Sequence, residues 1–254
     1  MYEDYKIKLI GEKIEGYLID ERIWQGATSM IYRGSSKNGK FGNFVAIKVL
    51  HPYRKERYQI KMFVKEYRIL KKLHHPNVLK VYKFGRREGL YYIIMEYIDG
   101  KSLRFLGNKI SEISPDTILY IMIKVGEGIK YIHSKKVLHN DIKPENIIVG
   151  NNLKDVKIID FGYAERIGFL KRRTNLTGGT ERYIAPERKK GIIDFKSDIY
   201  SYGVMIEEYL TFYVFYEKIY PVISLALSDN PAKRPSLDKI IETLRGIYEN
   251  RYNQ

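Results

Sequence analysis

The stretch His139-Asn140-Asp141-Ile142-Lys143-Pro144-Glu145-Asn146 brings a carboxylate, an ammonium and an amide close together in the chain, and Asp160-Phe161-Gly162 begins fourteen residues after Asn146. A carboxylate can orient a hydroxyl for attack, and an ammonium can neutralise negative charge that moves during a reaction. Carboxylate and amide oxygens are ligands that Mg²⁺ prefers. The two segments can therefore supply the parts of a site for an anionic group and a divalent cation, with Asp141, Lys143, Asn146 and Asp160 as the candidate residues.

A second candidate group lies upstream, in the apolar run from Phe44 to Leu50, which predicts a strand. Lys48 lies inside this run, and an ammonium is costly to bury without an anionic partner. Glu66 is the candidate partner, eighteen residues further on. It falls in the stretch Tyr58 to Leu73, where apolar residues recur at the spacing of a helix.

The rest of the pattern divides the chain near residue 98. Before that point we expect strands at 7–10, 17–24, 31–34, 44–50, 78–84 and 90–97, with a hairpin turn at Asn38-Gly39. After it, Ser114-Pro115-Asp116 predicts the start of a long helix, and further helices are expected at 197–209, 220–228 and 236–248. The change predicts two lobes of one domain, about 1–98 and 99–254.

Composition excludes several classes of function. The 254-residue chain has no cysteine, which excludes disulfides, thiolate catalysis and cysteine-bound zinc. No apolar run is long enough for a membrane span, and the early acids at Glu3 and Asp4 argue against a secretory signal, so we expect a cytoplasmic protein. The net charge of +15 favours acidic proteins, nucleic acid or anionic lipid as partners, or is simply a solvated basic surface. No motif supports nucleic acid, and the oligomeric state is not readable from the sequence.

The order of these motifs resembles the eukaryotic-type protein kinase family, over roughly residues 17 to 245. The resemblance implies an α+β, bilobal protein-kinase-like fold: a small β-rich N-lobe with one helix and a larger, mainly helical C-lobe. It also implies transfer of the γ-phosphoryl group of ATP, with two Mg²⁺ or Mn²⁺ ions, to hydroxyls of protein substrates. Lys143-Pro144-Glu145-Asn146, together with Thr180, resembles the branch that acts on Ser and Thr.

The resemblance assigns five catalytic residues. Asp141 accepts or orients the substrate hydroxyl, and Lys143 neutralises the γ-phosphate. Thr180 supports both of these side chains. Lys48 holds the α- and β-phosphates and is itself held by Glu66.

It also assigns the ligands of the metal and the residues that contact the nucleotide. Asn146 and Asp160 are the expected metal ligands. The expected ATP-binding residues are Ile23, Gly26, Ser29, Ile31, Ala46, Lys48, Met95, Glu96, Tyr97 and Ile148.

The glycine-rich loop departs from the family pattern. The three family glycines correspond here to Trp24, Gly26 and Ser29, so only the middle glycine is kept. Glycines let backbone amides approach phosphates closely. We therefore expect a stiffer phosphate cradle, and the sequence leaves open whether this lowers activity.

Asn140 departs from the family as well, because it replaces an arginine that in the family pairs with a phosphate on the activation loop. A neutral amide cannot make that bidentate, charge-assisted contact. We therefore expect activity without activation-loop phosphorylation. Thr174 and Thr177 remain candidate phosphorylation sites, including sites of autophosphorylation.

Three further positions resemble structural positions of the family. Glu187, in Ala185-Pro186-Glu187, is expected to pair with Arg234, and Asp198 to anchor the backbone of the catalytic loop. Glu187 and Arg234 are 47 residues apart, which is short for the family, so helices that dock substrates and partners are expected to be trimmed.

Two other functions stay open from the sequence. One is a kinase-fold phosphotransferase for small molecules, against which Ala185-Pro186-Glu187 argues. The other is a weakly catalytic, nucleotide-sensing scaffold, suggested by the altered glycine loop and Asn140. The substrate signals also conflict: the charge favours acidic targets, whereas Glu145 resembles a position that contacts basic residues in some relatives.

Overall fold

The computed structural model describes residues 9–51, 56–168 and 180–252. The chain forms two compact units: Met1–Lys71 with Lys80–Ile98, and Lys72–Leu79 with Asp99–Gln254. The division differs from the expected boundary at residue 98 only in assigning Lys72–Leu79 to the second unit, where the backbone N–H of Leu79 donates to the carbonyl of Ile158 at 3.0 Å. Within the described ranges, no helix combines the length and apolar character needed to cross a membrane.

The first unit is an antiparallel sheet with one helix, α1 (Arg57–Leu70). Its six strands, in the order β1-β2-β3-β4-β6-β5, are β1 (Lys13–Ile14), β2 (Tyr17–Gln25), β3 (Ser29–Ser35), β4 (Phe44–Leu50), β5 (Val81–Arg87) and β6 (Leu90–Glu96). The strand expected at 7–10 is wrong for the part that can be described, since Leu9 and Ile10 lie outside any strand. Strand β5 begins three residues later than expected, because Val78 instead bridges to Ile158 in the second unit.

The register of this sheet separates its two faces. One face carries the main apolar core, in which Tyr32 lies opposite Ile47 and Ile47 opposite Ile94. The other face carries the alternate residues, and there α1 packs through Phe63 against Leu50 and Ile93. Lys48 lies on this second face, because it is opposite Ile93 in the register.

The second unit is mainly helical. Its helices are α2 (Leu103–Gly107), α3 (Pro115–Ser134), α4 (Pro186–Lys189), α5 (Phe195–Leu210), α6 (Tyr216–Ala226) and α7 (Leu237–Tyr252). Its strands are β7 (Gly100–Ser102), β8 (Val137–Leu138), β9 (Ile147–Gly150), β10 (Val156–Ile158) and β11 (Glu165–Arg166). Strand β9 pairs with β10 and β7, and β8 pairs with β11. The segments that carry the candidate catalytic residues connect strands of these two small sheets.

The observed starts of three helices show where the sequence pattern predicted the boundary correctly and where it did not. Ser114 caps α3 by accepting a hydrogen bond from the backbone N–H of Thr117, and Pro115 occupies the first turn, as the sequence predicts. Helix α5 begins at Phe195, two residues before the expected start, because Asp194 is its cap. Helix α6 begins at Tyr216, four residues before the expected start at 220, and contains Pro221.

Candidate active site

In the first unit, Lys48 and Glu66 form a buried ion pair. The Nζ atom of Lys48 lies 2.7 Å from Oε1 and 2.8 Å from Oε2 of Glu66. The side chains are 11% and 6% exposed, so water screens their charges little. The packing of α1 on the second face of the sheet brings Glu66 to Lys48, which confirms the pairing expected from the sequence.

Several expected nucleotide-binding residues share the sheet face of Lys48. The register pairs Ile31 with Lys48 and Ala46 with Met95, and Ala46 and Lys48 are two residues apart on β4. Glu96 belongs to the opposite alternation, and its Oε1 accepts a hydrogen bond from the backbone N–H of Lys80. The face thus places apolar side chains around Lys48, and Arg33 shares it, opposite Ala46.

The remaining expected nucleotide contacts are more dispersed. Ile23 is 45% exposed on β2. The ring of Tyr97 lies 6.1 Å from that of Phe44, and both residues belong to the first unit. Ile148 lies in the second unit, on β9 opposite Lys157 of β10.

The altered glycine loop is the hairpin between β2 and β3. The backbone N–H of Gly26 donates to the carbonyl of Ser29 at 3.0 Å, and the carbonyl of Gly26 lies 2.9 Å from Nε2 of His51. The ring of Trp24 covers Gly26 so closely that a Cβ there would overlap it. Ser29 is buried. Sequence reasoning missed His51, which follows β4 and shows no motif.

In the second unit, the catalytic loop gathers three of the expected residues. The Nζ atom of Lys143 lies 2.8 Å from Oδ2 of Asp141. The amide nitrogen of Asn146 donates to the same Oδ2 and to the backbone carbonyl of Asp141, both at 2.8 Å. Asp141 is 6% exposed. The loop thus holds one carboxylate in a fixed orientation, with a cation beside it.

Asn146 and Asp160 are brought close by strand pairing. Ile158 on β10 lies opposite Ile147 on β9, and the backbone N–H of Ile159 donates to the carbonyl of Asn146 at 2.9 Å. Asp160 follows directly with a left-handed backbone, at φ 59°. Because both Asn146 hydrogen bonds to Asp141 use its nitrogen, its Oδ1 is turned away from that residue. An amide oxygen and a carboxylate so arranged fit Mg²⁺ or Mn²⁺, which take oxygen ligands.

A buried aspartate of α5 anchors the backbone of the catalytic loop. The carboxylate of Asp198 on α5 accepts the backbone N–H groups of His139 and Asn140, each at 2.9 Å, which confirms the expected anchor. Burial by itself would raise the pKa of Asp198, but the hydrogen bonds from His133 and from the backbone N–H of His139 hold it below its usual value. The anchor is therefore ionised at neutral pH.

Both polar atoms of the Asn140 side-chain amide make hydrogen bonds. Its nitrogen donates to the carbonyl of Tyr163 at 3.0 Å, and its Oδ1 accepts from Nε of Arg188 at 3.1 Å. Arg188 lies on α4, and sequence reasoning missed it. Its position directly after Ala185-Pro186-Glu187 gave no signal of a contact with a residue 48 positions earlier.

The expected pair of Glu187 and Arg234 is confirmed as a bidentate contact. The two nitrogens of the Arg234 guanidinium lie 2.6 and 2.7 Å from the two carboxylate oxygens of Glu187. The Arg234 side chain is fully buried. Glu187 also accepts from Oγ of Ser197 at 2.8 Å, which ties α4 to α5.

The expected role of Thr180 stays a prediction. Thr180 is exposed, and its carbonyl accepts the backbone N–H of Tyr183 at 2.9 Å. Among the described contacts, none joins its side chain to Asp141 or Lys143. Thr174 and Thr177 lie outside the described residues.

Arg104 forms a further group of contacts that the sequence did not reveal, and Glu145 is one of its partners. Arg104 on α2 donates to Glu145 through Nε at 2.8 Å and to the hydroxyl of Tyr183 through Nη2 at 2.6 Å. It also pairs with Glu208 of α5, which accepts from the Tyr183 hydroxyl. Burial, together with the hydrogen bond to Glu208, raises the pKa of the Tyr183 hydroxyl. Glu145 in the catalytic loop and Glu208 on α5 are therefore both paired with Arg104.

The β-sheet unit with its Lys48–Glu66 pair and the helical unit with its catalytic loop define a eukaryotic-type protein kinase fold. Comparison with known proteins agrees: the family model described as protein kinase domain matches residues 17–225, and the chain belongs to this family.

Relatives with curated names are similar over most of the chain. The chain is 32% identical to the serine/threonine-protein kinase PrkC of Bacillus subtilis, over 90% of this chain and 35% of that protein. It is 31% identical to a probable serine/threonine-protein kinase of Clostridium perfringens, over 80% of this chain and 29% of that protein. It is 29% identical to a serine/threonine/tyrosine-protein kinase of Arabidopsis thaliana, over 89% of this chain and 65% of that protein. The chain thus spans about a third of the length of the two bacterial relatives.

Proposed function

We propose that the protein is an ATP-dependent protein kinase that transfers the γ-phosphoryl group to Ser and Thr hydroxyls of protein substrates. The observation that carries the proposal is the arrangement around Asp141, in which Lys143 and Asn146 both contact one carboxylate oxygen at 2.8 Å. The bacterial relatives are named as serine/threonine kinases. Phosphoryl transfer requires little covalent chemistry from the protein, so a fixed arrangement of charges is the catalyst it needs.

Each residue has a defined task in this proposal. Asp141 accepts a hydrogen bond from the substrate hydroxyl and aligns its oxygen with the γ-phosphorus. Lys143, beside it, neutralises charge on the transferred group. Lys48 binds the α- and β-phosphates, and Glu66 keeps its ammonium in place.

In this proposal, Asn146 and Asp160 bind the metal ion. A Mg²⁺ or Mn²⁺ ion held by these residues would supply positive charge against the phosphate oxygens. The chain contributes the Asn146 amide oxygen and the Asp160 carboxylate. The hydrogen bonds from the Asn146 nitrogen to Asp141 couple the metal ligand to the base-like residue.

Acidic protein substrates are the class we propose. Arg104 pairs with Glu145 and Glu208, and Arg182 lies 3.6 Å from Glu208, so two cations offset the two carboxylates that could attract basic residues of a substrate. The net charge of +15 attracts acidic partners over a longer range. Together they favour acidic residues around the phosphorylated hydroxyl.

We further propose that transfer does not require activation-loop phosphorylation. Asn140 carries no charge with which to read a phosphate, and both ends of its amide are engaged by Tyr163 and Arg188. Autophosphorylation at Thr174 or Thr177 is then a product of activity and not its condition. The cytoplasmic location expected from the sequence stays a prediction.

The test is transfer of label from γ-³²P-ATP to casein as an acidic substrate and to histone as a basic one, followed by phosphoamino acid analysis. Wild-type protein is expected to label Ser and Thr of casein, with or without phosphatase pretreatment, and Asp141→Ala to label neither protein. Binding of ATP without transfer would support a nucleotide-sensing scaffold instead. Activity lost after phosphatase treatment and regained on re-phosphorylation would contradict the activation-loop proposal alone.

A further inference from the structure

Arg188 is a buried cation that the proposed chemistry does not use. The residue is 7% exposed on the short helix α4. Its Nη2 is buried without a hydrogen-bond partner in the part of the chain that the structure describes. A buried guanidinium with an unsatisfied nitrogen is costly, and a simple packing position would be filled at less cost by an apolar side chain. This cost points to a role for the hydrogen bond that Arg188 makes to Asn140.

That contact is with the catalytic loop. Nε of Arg188 donates to Oδ1 of Asn140 at 3.1 Å, and Asn140 directly precedes Asp141 in the chain. The backbone of Asn140 is left-handed, at φ 67°, and its N–H is fixed by Asp198 at 2.9 Å. Because this unusual backbone sets the direction in which Asp141 leaves the loop, a group that holds the Asn140 side chain also fixes the orientation of Asp141.

The charges around Arg188 keep it ionised in this place. Burial lowers the pKa of the guanidinium, and the carboxylates of Glu165 and Asp198 oppose that shift. Glu165 is 1% exposed and Asp198 is fully buried. Arg188 thus contacts the catalytic loop at Asn140 and experiences the charges of Glu165 on β11 and Asp198 on α5.

We propose that Arg188 is a positioning residue for Asp141, acting through Asn140. The chain lacks an arginine at position 140, and a guanidinium from α4 instead contacts the side chain of Asn140. The inference rests on the proposed kinase function and adds to it the residue that orients the catalytic carboxylate. It also gives a physical reason for the proposed independence from phosphorylation, since the cation is engaged by groups of the folded chain.

A double-mutant cycle tests the inference. Arg188→Lys keeps the charge but lacks the Nε donor, and Asn140→Gly removes the acceptor while tolerating a positive φ. Each single variant is expected to lower kcat roughly 10- to 100-fold, with the KM for ATP changed less than about twofold, because the lost hydrogen bond misaligns only the reacting carboxylate. If Arg188 acts through Asn140, the double variant is no slower than Asn140→Gly alone.

Two further variants separate positioning from folding. Arg188→Met with Glu165→Gln removes the buried cation together with one countercharge, and the same fall in kcat is expected if Arg188→Lys does not fold. Lys189→Met is the matched control, because the Lys189 side chain is 52% exposed and its ion-pair partner among the described residues is the exposed Glu181, 3.6 Å away. It is expected to leave kcat and thermal unfolding unchanged.

The outcomes are distinguishable. Three results would overturn the role of Arg188 and leave the kinase function standing. The first is that the losses in kcat of the two single variants multiply in the double variant, and the second is an unchanged kcat in Arg188→Lys. The third is a fall in kcat that is explained entirely by a lower unfolding temperature. Wild-type protein that transfers no phosphate would overturn the proposed function itself.

Discussion

The contact between Lys48 and Glu66 illustrates how a single residue depends on its partner. Both oxygens of Glu66 are within 2.8 Å of the Lys48 ammonium, and both side chains are nearly buried. Removing one member of such a pair leaves a buried charge without compensation and costs about 3–5 kcal/mol. Replacing both members by neutral groups of similar size avoids most of that cost.

This asymmetry gives the first prediction. Lys48→Met is expected to lower phosphoryl transfer by about two orders of magnitude or more and to lower the free energy of unfolding. Adding Glu66→Gln is expected to restore stability but not transfer, because only the phosphate contact remains missing. Denaturant unfolding and γ-³²P-ATP assays on the same preparations measure both quantities. Transfer regained together with stability would remove Lys48 from the catalytic residues.

The second prediction concerns acid stability at Glu187. Burial alone would raise the pKa of this carboxyl, but hydrogen bonds from Arg234 and Ser197 hold it below the ordinary value of 4.5. Since the folded pKa is depressed, the pair contributes stability above about pH 4.5 that is lost as pH falls through the folded pKa. The free energy of unfolding of wild-type protein should therefore fall below pH 4.5, and less steeply in Glu187→Gln.

Its control is Glu181→Gln, which alters an exposed carboxylate whose partner Lys189 is 3.6 Å away. That variant should follow the wild-type acid profile. Equal slopes for wild-type protein and Glu187→Gln between about pH 4.5 and 3 would contradict the assignment.

At the scale of elements, the hairpin between β2 and β3 carries the altered glycine loop. Trp24 replaces a small residue there, and its ring covers Gly26, while His51 fixes the carbonyl of Gly26 at 2.9 Å. The loop is thus held by side chains where the family pattern relies on glycine. This gives the altered sequence a way to keep a defined shape.

The third prediction follows from that overlap. Gly26→Ala is expected to raise the KM for ATP roughly tenfold, because the added methyl displaces the Trp24 ring and distorts the hairpin. Adding Trp24→Ala should recover most of the loss, since Trp24 is 48% exposed and little packing is removed. Gly246→Ala is the control, because nothing lies within 4 Å of a Cβ at that position. A normal KM in Gly26→Ala would contradict the role of the hairpin.

The sequence predicted most elements because their signals are local. The cap at Ser114 and the strand around Lys48 follow from short-range chemistry, and both are where they were expected. The element signals failed where a distant partner decides, as at Val78, which bridges to Ile158 and not to the neighbouring strand. The predicted start of α6 at residue 220 was also wrong, because the helix begins at Tyr216.

For the whole molecule, charge governs the encounter with a substrate. The net charge of +15 creates a positive field, and ions screen exposed charges over about 8–10 Å at physiological salt.

The fourth prediction is that the KM for an acidic peptide rises several-fold as ionic strength is raised from about 0.05 to about 0.5 M, while the KM for a neutral peptide changes little. Initial rates at fixed ATP measure this. A KM for the acidic peptide that is independent of salt would contradict the proposed preference.

The candidate site shows what a sequence can and cannot reveal at this scale. Lys48, Glu66, Asp141, Lys143, Asn146 and Asp160 lie in motifs with fixed spacing, so their types and order were informative without a structure. Arg188 and Arg104 contact partners 48 and 41 residues away and belong to no motif. Only the packing of α4 and α2 beside the catalytic loop gives these arginines their partners, and no local pattern encodes it.

The most direct test of the account is the rate of γ-phosphoryl transfer by wild-type protein and by Asp141→Asn at saturating ATP, with ATP affinity measured for both. The account predicts that transfer falls by about three orders of magnitude while ATP affinity changes little, because the carboxylate that orients the hydroxyl is lost and the phosphate contacts remain. Equal rates in the two proteins, or no transfer by the wild-type protein, would contradict it.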